Sequence, residues 1–231
     1  MPQFGELLEC SVPENKPEKV PPANVHPRLY FTKNKLEKIK KNLTHEENKY
    51  AYEKYIMLSE MECDGTVTDF TDENSLSHMR VVDCNILTVL CAKAFRYVVT
   101  GDELYGYEAV AGIMSYLATF DLSAVSAGIA HYTSMRIMEK VACIYDWCYD
   151  LLTEKEKYRI ACAGTSKIHK CMEYNDFPPT GGGYMVGHMC GTIYLIAWAS
   201  LGIAIYDEYP IYYDTIQNII VDKLVPTQNF M

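Results

Sequence analysis

Thr100-Gly101-Asp102-Glu103 stands between two apolar stretches of this 231-residue chain, and its Thr-x-x-Glu pattern occurs twice more. The pattern recurs at Thr44-His45-Glu46-Glu47 and at Thr153-Glu154-Lys155-Glu156, so the three turns lie 56 and 53 residues apart. A fourth turn, Asp207-Glu208-Tyr209-Pro210, follows 54 residues later. Thr-x-x-Glu is the signature of a capping box, in which the Thr and Glu side chains pair with each other's backbone N–H groups at a helix start. A period of this length predicts stacked helical hairpins.

Two kinds of helix alternate between these turns. The first kind is apolar nearly all round, which is typical of buried helices, and it is predicted over 79–99, 132–152 and 186–206. The second kind follows each turn and is amphipathic, which indicates a surface position, and it is predicted over 46–60, 103–118, 154–172 and 209–224. No stretch has the alternating pattern of a strand. We therefore expect an all-α ring or arc of hairpins, with an inner layer of apolar helices and an outer layer of amphipathic ones.

The N-terminal part of the chain has a different composition. Residues 1–25 contain five of the ten prolines and little periodicity, so we expect an irregular leader there and one helical domain over 26–231. Thr32 is expected to cap a basic helix over 33–42. No signal peptide is visible in residues 1–11.

Composition excludes some classes of function. The net charge of −9 argues against a nucleic-acid-binding protein, although a local basic pocket could still take an anion. The nine cysteines fall mostly in apolar helices without zinc-ligand spacing, so we expect free thiols, no disulfide framework, no metal and no cofactor. The apolar stretch over 191–205 is interpreted as a core helix and not as a membrane span.

Three histidines occupy matching places in successive hairpins. His78 and His131 each lie 22 residues before the turn that ends their apolar helix, and His188 lies 19 residues before the fourth turn. All three should therefore lie near the start of an inner helix, at one end of the hairpins that we call the rim. A capping or buried structural role is an equally open interpretation for His78 and His131. For His188 a site role is favoured, because it follows the glycine-rich loop 178–183 and opens the most apolar helix.

Further candidate residues accompany these histidines. Arg80 and Arg136 follow His78 and His131 within one or two helical turns. Helix starts also present unpaired N–H groups and the positive end of the helix dipole. The rim is therefore predicted to bind an anionic group such as a carboxylate or a sulfate. Tyr184, in the glycine-rich loop, is a candidate for stacking on a pyranose ring.

Four motifs follow one another along the chain. The first is His26-Pro27-Arg28-Leu29-Tyr30-Phe31, followed by the basic helix. The second is Ala92-Lys93-Ala94-Phe95-Arg96-Tyr97-Val98-Val99-Thr100-Gly101-Asp102. The third is Ile144-Tyr145-Asp146-Trp147 with the turn at Thr153, and the fourth is Val186-Gly187-His188. In order and spacing these motifs resemble those of the heparinase II/III-like polysaccharide lyases, in which the second motif is an Ala-x-Ala-Tyr-x-x-Thr-Gly-Asp hairpin. The resemblance runs from about residue 26 to the end of the chain.

This resemblance implies an (α/α) toroid followed by a β-sandwich domain, and β-elimination on a uronic-acid polysaccharide. In that chemistry a Tyr or His removes the C5 proton, a neighbouring Asn, Glu or His neutralises the uronate carboxylate, and a Tyr protonates the leaving oxygen. By position, His188 belongs to the group that binds or neutralises the carboxylate. The resemblance also implies an acidic polysaccharide as partner and a secreted or periplasmic location.

The sequence departs from the family pattern in two ways. Some members carry a Glu three residues after the histidine, where this chain has Gly191. The family's catalytic Tyr lies downstream of the segment that matches, so we expect this chain to be an N-terminal portion with an incomplete ring, incomplete as a catalyst.

Two alternatives remain open at this point. A six-hairpin glycoside hydrolase would need two carboxylates that flank the scissile bond, and the acidic candidates form no distinctive pair. These candidates are Asp69, Asp72, Asp121 and Asp176. A non-catalytic, carbohydrate-binding module of helical repeats would need only a concave surface with the histidines and arginines.

Overall fold

The structure of the protein is a computed structural model. It describes residues 6–7, 9, 16–67, 76–120, 127–173 and 190–226, and within the helices it leaves undescribed the side chains of 76–85, 127–136, 166–173, 190–195 and 223–224. The described residues form helices, turns and irregular segments, and none of them lies in a strand. The predicted all-α class is therefore confirmed.

Eight α-helices are described, and they follow the predicted alternation. They are α1 Lys33–Leu43, α2 Lys49–Ser59, α3 Leu76–Thr100, α4 Glu103–Thr119, α5 Ala127–Trp147, α6 Glu154–Glu173, α7 Cys190–Ala204 and α8 Pro210–Ile219. The predicted helix over 46–60 is divided into a 3₁₀ turn, Glu46–Asn48, and α2. The predicted helix over 132–152 ends earlier, because a second 3₁₀ turn, Tyr149–Leu151, leads into the hairpin turn. A π-helical turn, Ile220–Leu224, extends α8.

Successive helices of the chain pack in pairs. α3 pairs with α4, α5 with α6 and α7 with α8, while α5 also packs between α3 and α7. The α3–α4 pair is antiparallel, since the Lys93 ammonium contacts Glu108 and Leu90 lies against Gly112. The predicted inner helices α3, α5 and α7 are thus consecutive neighbours, each with an outer partner.

The inner helices α3 and α5 run in the same direction. Phe95, near the end of α3, lies beside Trp147 at the end of α5. One to two turns before these residues in each helix, the thiol of Cys91 donates to the carbonyl of Lys140. Because the side chains at the ends of α3 and α5 meet, the starts of both helices lie at the opposite end. At 1.5 Å per residue, the 21 residues of α5 separate the two ends by about 31 Å.

One hydrophobic core joins these helices. Its largest fully buried side chains include Tyr116 of α4, Tyr145 of α5 and Trp198 of α7. Cys143, Cys148 and Cys162 are also buried. The cysteines whose side chains are described are free thiols, and they are Cys63, Cys91, Cys143, Cys148 and Cys162. Burial raises the pKa of the Cys91 thiol to about 12. The group is therefore a neutral thiol near neutral pH and not the reactive thiolate.

The hairpin turns confirm one of the predicted capping boxes. At Thr153 the backbone N–H and the hydroxyl both donate to the Glu156 carboxylate, at 2.8 and 2.6 Å, and the Glu156 N–H donates back to the Thr153 hydroxyl at 3.3 Å. Thr153 and Glu156 therefore close the start of α6 in the way that the motif predicts.

The other two predicted capping boxes are wrong. Thr100 is the last residue of α3, and Asp102 caps α4 by accepting from the Leu104 N–H at 3.1 Å. Thr44 is likewise the residue that ends α1, and His45 accepts from the Glu47 N–H at 3.4 Å. In both places a polar side chain nearer the helix start makes the bond, because Asp and His reach the free N–H groups directly.

No helix in the described part of the chain is both long and apolar enough to cross a membrane.

Candidate functional site

Four ionisable side chains are buried together where the hairpin turns lie, which we call the turn end. His26 and Arg28 come from the segment before α1, Asp146 from the last turn of α5, and Asp207 from the turn after α7. Their side chains are 3%, 4%, 0% and 10% exposed, respectively. The two carboxylates therefore face a guanidinium and an imidazole ring, which offset the cost of burying them.

The ring of His26 bridges the two carboxylates. Nδ1 lies 2.6 Å from Asp146 Oδ1, and Nε2 lies 3.1 Å from Asp207 Oδ2. Both ring nitrogens are therefore engaged by carboxylates within the chain. His26 thereby links α5 to the turn between α7 and α8.

Asp146 is the anchor for the segment before α1. Besides His26, its Oδ2 accepts from the backbone N–H groups of Arg28 and Leu29, both at 2.8 Å. The indole of Trp147 donates to the carbonyl of Leu29 at 3.3 Å. One side chain in the last turn of an apolar helix thus binds three donors of an irregular segment, and two of these donors are backbone N–H groups that need a partner when buried.

Arg28 joins the same segment to the far side of the cluster. Its Nη2 lies 2.6 Å from Asp207 Oδ2, and its other donors reach the carbonyls of Val25 and Ile203 at 2.8 and 3.1 Å. Burial acts to raise the pKa of Asp207, but hydrogen bonds from Arg28, the Asn24 N–H and His26 outweigh it and hold the pKa below its usual range.

The ring of Tyr149 lies between the His26 ring and the Lys157 ammonium, beside this cluster. The His26 ring stacks on one face, with centroids 3.7 Å apart, and the Lys157 ammonium lies 3.8 Å from the centroid of the Tyr149 ring. The hydroxyls of Tyr149 and Tyr145 donate to the two oxygens of Glu208 at 2.6 and 2.9 Å. The network therefore reaches from the leader segment through α5 and α6 to the α7–α8 turn.

A second polar cluster ties α2 to the first hairpin. Lys93, which is 4% exposed, donates to the carbonyl of Ser59 at 3.1 Å and binds Glu108. Arg96 donates to the hydroxyl of Ser59 at 2.9 Å and pairs with Glu60 at 2.5 Å. This cluster has the same character as the first one, because each cation is bound by groups from a neighbouring helix.

A groove of about 370 Å³ borders the His26 cluster, between the start of α1 and the ends of α3 and α5. Its walls include His26, Lys33, Tyr97, Trp147, Tyr149 and Asp150. Both faces of the Tyr149 ring are covered by His26 and Lys157, so only its edge is left for a ligand. Among the described residues, no group of three or more His, Cys, Asp or Glu side chains is placed to hold a metal ion.

The chemistry of the His26 cluster is that of a structural lock. Both ring nitrogens of His26 and both oxygens of Asp146 are engaged within the chain, so neither group is free to take a proton from a ligand. The cluster instead fixes the ends of the hairpins relative to one another. We therefore assign it a positioning role.

The carboxylate of Asp207 in this cluster predicts that the stability of the protein depends on pH. Because the pKa of Asp207 is lowered by folding, its contribution to stability is present above the unfolded value of about 3.9 and is lost as the pH falls through the lower, folded value. We expect Asp207→Asn to lower the free energy of unfolding by about 1.5 to 3 kcal/mol near pH 7, and the difference from wild type to shrink below about pH 4. Urea unfolding at several pH values measures both quantities.

Asp150→Asn is the matched control for that experiment. Asp150 is 66% exposed and lies 3.9 Å from Lys33, so it should change stability little at any pH. A loss for Asp207→Asn that is as large at pH 3 as at pH 7 would contradict the assignment.

The residues predicted for the rim are covered by the structure only in part. His78 and Arg80 lie in the first turns of α3, and His131 and Arg136 lie in the first half of α5, but their side chains are outside the described residues. His188 and Tyr184 lie wholly outside them, as do the carboxylates considered for a hydrolase, Asp69, Asp72, Asp121 and Asp176.

The buried cluster was not predicted from the sequence. His26 and Asp146 belong to two separate motifs, and nothing in either motif indicates that the two residues pair. The available signal is the carboxylate of Asp146 near the end of a largely apolar helix, since such a group needs donors when it is buried. The donors themselves come from a segment 120 residues earlier in the chain.

Comparison with known proteins gives no match: no protein-family model and no curated protein matches this chain.

Proposed function

We propose that this chain is the N-terminal, partial (α/α)-toroid portion of a lyase that cleaves uronic-acid polysaccharides by β-elimination. The proposal rests on the order of the four motifs that resemble heparinase II/III-like lyases. The observation that carries it furthest is the common direction of α3 and α5, whose starts lie at one end of the hairpins. On this proposal the inner helices α3, α5 and α7 form part of a ring that is incomplete in this chain.

The backbone supports an anion-binding rim at that end. His78 is the third residue of α3 and His131 is the fifth residue of α5. The free N–H groups and positive dipole ends of two parallel helices therefore lie near the positions of both histidines. This combination suits a carboxylate or sulfate group of the polymer.

The predicted histidines and arginines of the rim have distinct roles in the proposed reaction. His188 binds or neutralises the uronate carboxylate, which makes the C5 proton easier to remove. His78, His131, Arg80 and Arg136 bind further anionic groups of the chain. The proton transfers at C5 and at the leaving oxygen need a catalytic Tyr, which the resemblance assigns to sequence downstream of Met231.

The first motif of the resemblance also has a clear physical use in this protein. His26 and Arg28, from His26-Pro27-Arg28-Leu29-Tyr30-Phe31, bind Asp146 and Asp207 in the buried cluster. Asp146 itself belongs to the third motif. Two of the four motifs therefore meet in space, which supports the interpretation that their order and spacing describe one fold.

The test is cleavage of defined polymers. The protein, and a version extended by the reading frame downstream of Met231, are incubated with heparan sulfate, hyaluronan and alginate. We expect the extended version to produce ultraviolet absorbance from unsaturated uronate with at least one polymer, and the shorter chain to be weak or inactive. If the extended version produces no such absorbance with any uronate polymer, the proposal is wrong.

His188→Ala in an active extended protein should lower kcat/KM by about 10² or more, because the developing carboxylate charge loses its partner. His45→Ala is the matched control, since His45 is exposed in the turn before α2. The two variants are compared by initial rate on the preferred polymer and by thermal unfolding. Unchanged turnover in His188→Ala would remove this residue from the site.

A further inference from the structure

The lysines of this acidic protein are concentrated in α1. The helix Lys33–Leu43 has the sequence Lys-Asn-Lys-Leu-Glu-Lys-Ile-Lys-Lys-Asn-Leu, with five lysines and one glutamate. Its net charge is +4, and because the whole chain carries −9, the other 220 residues carry −13. An anionic polymer that approaches this protein is repelled by most of its surface and attracted to this helix.

Three of these lysines form one exposed row. Lys35, Lys38 and Lys41 are spaced three residues apart, so neighbours in the row lie on the same side of the helix, about 5–6 Å apart at Cβ. All three side chains are exposed, and within the described residues none forms an ion pair with a carboxylate. Like charges at this spacing oppose helix formation, so the row is kept at a cost to α1.

The opposite side of α1 faces the protein. Leu36, Ile39 and Leu43 recur at the helical spacing and are half-buried, and Leu36 lines the groove beside the His26 cluster. No residue of α1 is an exposed large apolar side chain. The helix is therefore held with its apolar side inward and its lysine row in water.

We propose that the row Lys35, Lys38 and Lys41, which we call the lysine face, is a binding surface for an anionic polysaccharide, separate from the predicted rim. The class of polymer rests on the proposed function. α1 lies at the turn end, since Lys33 and Leu36 line the same groove as Asp146 and Tyr149. The first turns of α5 lie about 30 Å away by the length of that helix.

The chemistry of the lysine face favours a hydrated polysaccharide over other polyanions. A membrane-bound helix places apolar side chains in the lipid, whereas the apolar side of α1 is turned to the protein. A single-stranded nucleic acid needs exposed aromatic rings for its bases, and α1 contains none. Lysine ammonium groups are compact, strongly hydrated point charges, which suit sulfate and carboxylate groups along a flexible chain.

The experiment measures retention of the whole protein on immobilised heparin. Wild type is compared with the triple variant Lys35→Gln, Lys38→Gln and Lys41→Gln. We expect affinity at low salt to fall about tenfold or more. The slope of log K against log salt should become shallower by about two to three, because each of the three lost lysines releases about 0.7 to 0.9 counterion fewer.

A second triple variant controls for net charge. Lys16→Gln, Lys54→Gln and Lys155→Gln remove the same charge from exposed positions outside α1. This variant should elute close to wild type. Equal weakening of the two triples, or absence of retention of the wild type, would overturn the proposal.

Two further measurements test the class of polyanion and separate this proposal from the proposed function. Phosphatidylserine-containing vesicles and duplex DNA are used as competitors, and competition as strong as that of free heparin would overturn the choice of a polysaccharide. If the extended protein cleaves a uronate polymer with an unchanged KM in the lysine-face triple, the lysine face fails while the lyase proposal stands. If retention on heparin depends on the lysine face but the extended protein cleaves no polymer, the lysine face stands and the lyase proposal fails.

Discussion

Asp146→Asn is expected to lower the free energy of unfolding by about 3 to 5 kcal/mol, the usual loss when one partner of a buried ion pair is removed. Asp146 is fully buried and accepts from His26 and from the N–H groups of Arg28 and Leu29. An asparagine offers one acceptor oxygen where the aspartate offers two. One set of donors would then face an NH₂ group, in a place that water does not reach.

A double-mutant cycle tests whether this loss belongs to the buried pair. His26→Gln is measured alone and with Asp146→Asn, by urea unfolding at neutral pH. Since the two side chains share one network, the second substitution should cost less once the first is present, by about 0.5 to 3 kcal/mol. A loss below about 1 kcal/mol for Asp146→Asn, or strictly additive losses, would contradict the role of this cluster as a lock.

Gly65→Ala is expected to cost about 2 to 5 kcal/mol, because it combines backbone strain with a steric clash. Gly65 has φ of +76°, and an added Cβ would lie 1.9 Å from the carbonyl oxygen of Gly112 in α4. The neighbour is backbone inside a helix, so it cannot rotate away. The segment after α2 would have to lift off α4, which would also strain the bond from the Val67 N–H to the Thr119 hydroxyl at 2.9 Å.

Gly101→Ala separates the two contributions. Gly101 has φ of +79°, but a Cβ there would meet no atom within 4 Å. It should therefore cost only the strain of the left-handed conformation, about 1 to 2 kcal/mol. Equal losses for the two substitutions in denaturant unfolding would show that the close approach of Gly65 to α4 does not matter.

The helical architecture could be predicted because it depends on local pattern. The alternation of apolar and amphipathic stretches is a property of neighbouring residues. It predicted the ends of α3, α4 and α6 to within three residues, whereas both ends of α5 were placed five residues too late. Turn chemistry was less predictable, because several polar side chains compete for the same free N–H groups. Thr153 wins that competition at α6, whereas Asp102 displaces Thr100 at α4.

The buried charge cluster could not be predicted from local pattern. His26 is 120 residues from Asp146 and 181 residues from Asp207 in the chain, and no periodicity relates the three. The motifs that contain His26 and Asp146 were recognised separately, by resemblance. Their pairing follows only from the packing of the inner helices, which brings the end of α5 and the turn after α7 together.

The proposed rim stays a prediction from register. Counting back from successive turns gives His78 and His131 matching positions, and parallel inner helices bring those positions to one end. The counting extends to His188, but the side chains that would complete the site lie outside the described residues.

Mass spectrometry of the cleavage products tests β-elimination most directly. A purified uronate oligosaccharide of known mass is incubated with the extended protein, and the masses of the two fragments are added. Elimination breaks the bond without water, so the fragment masses should sum to the mass of the parent, and one fragment should carry the unsaturated uronate. A sum that exceeds the parent by one water would identify a hydrolase and contradict the proposed function.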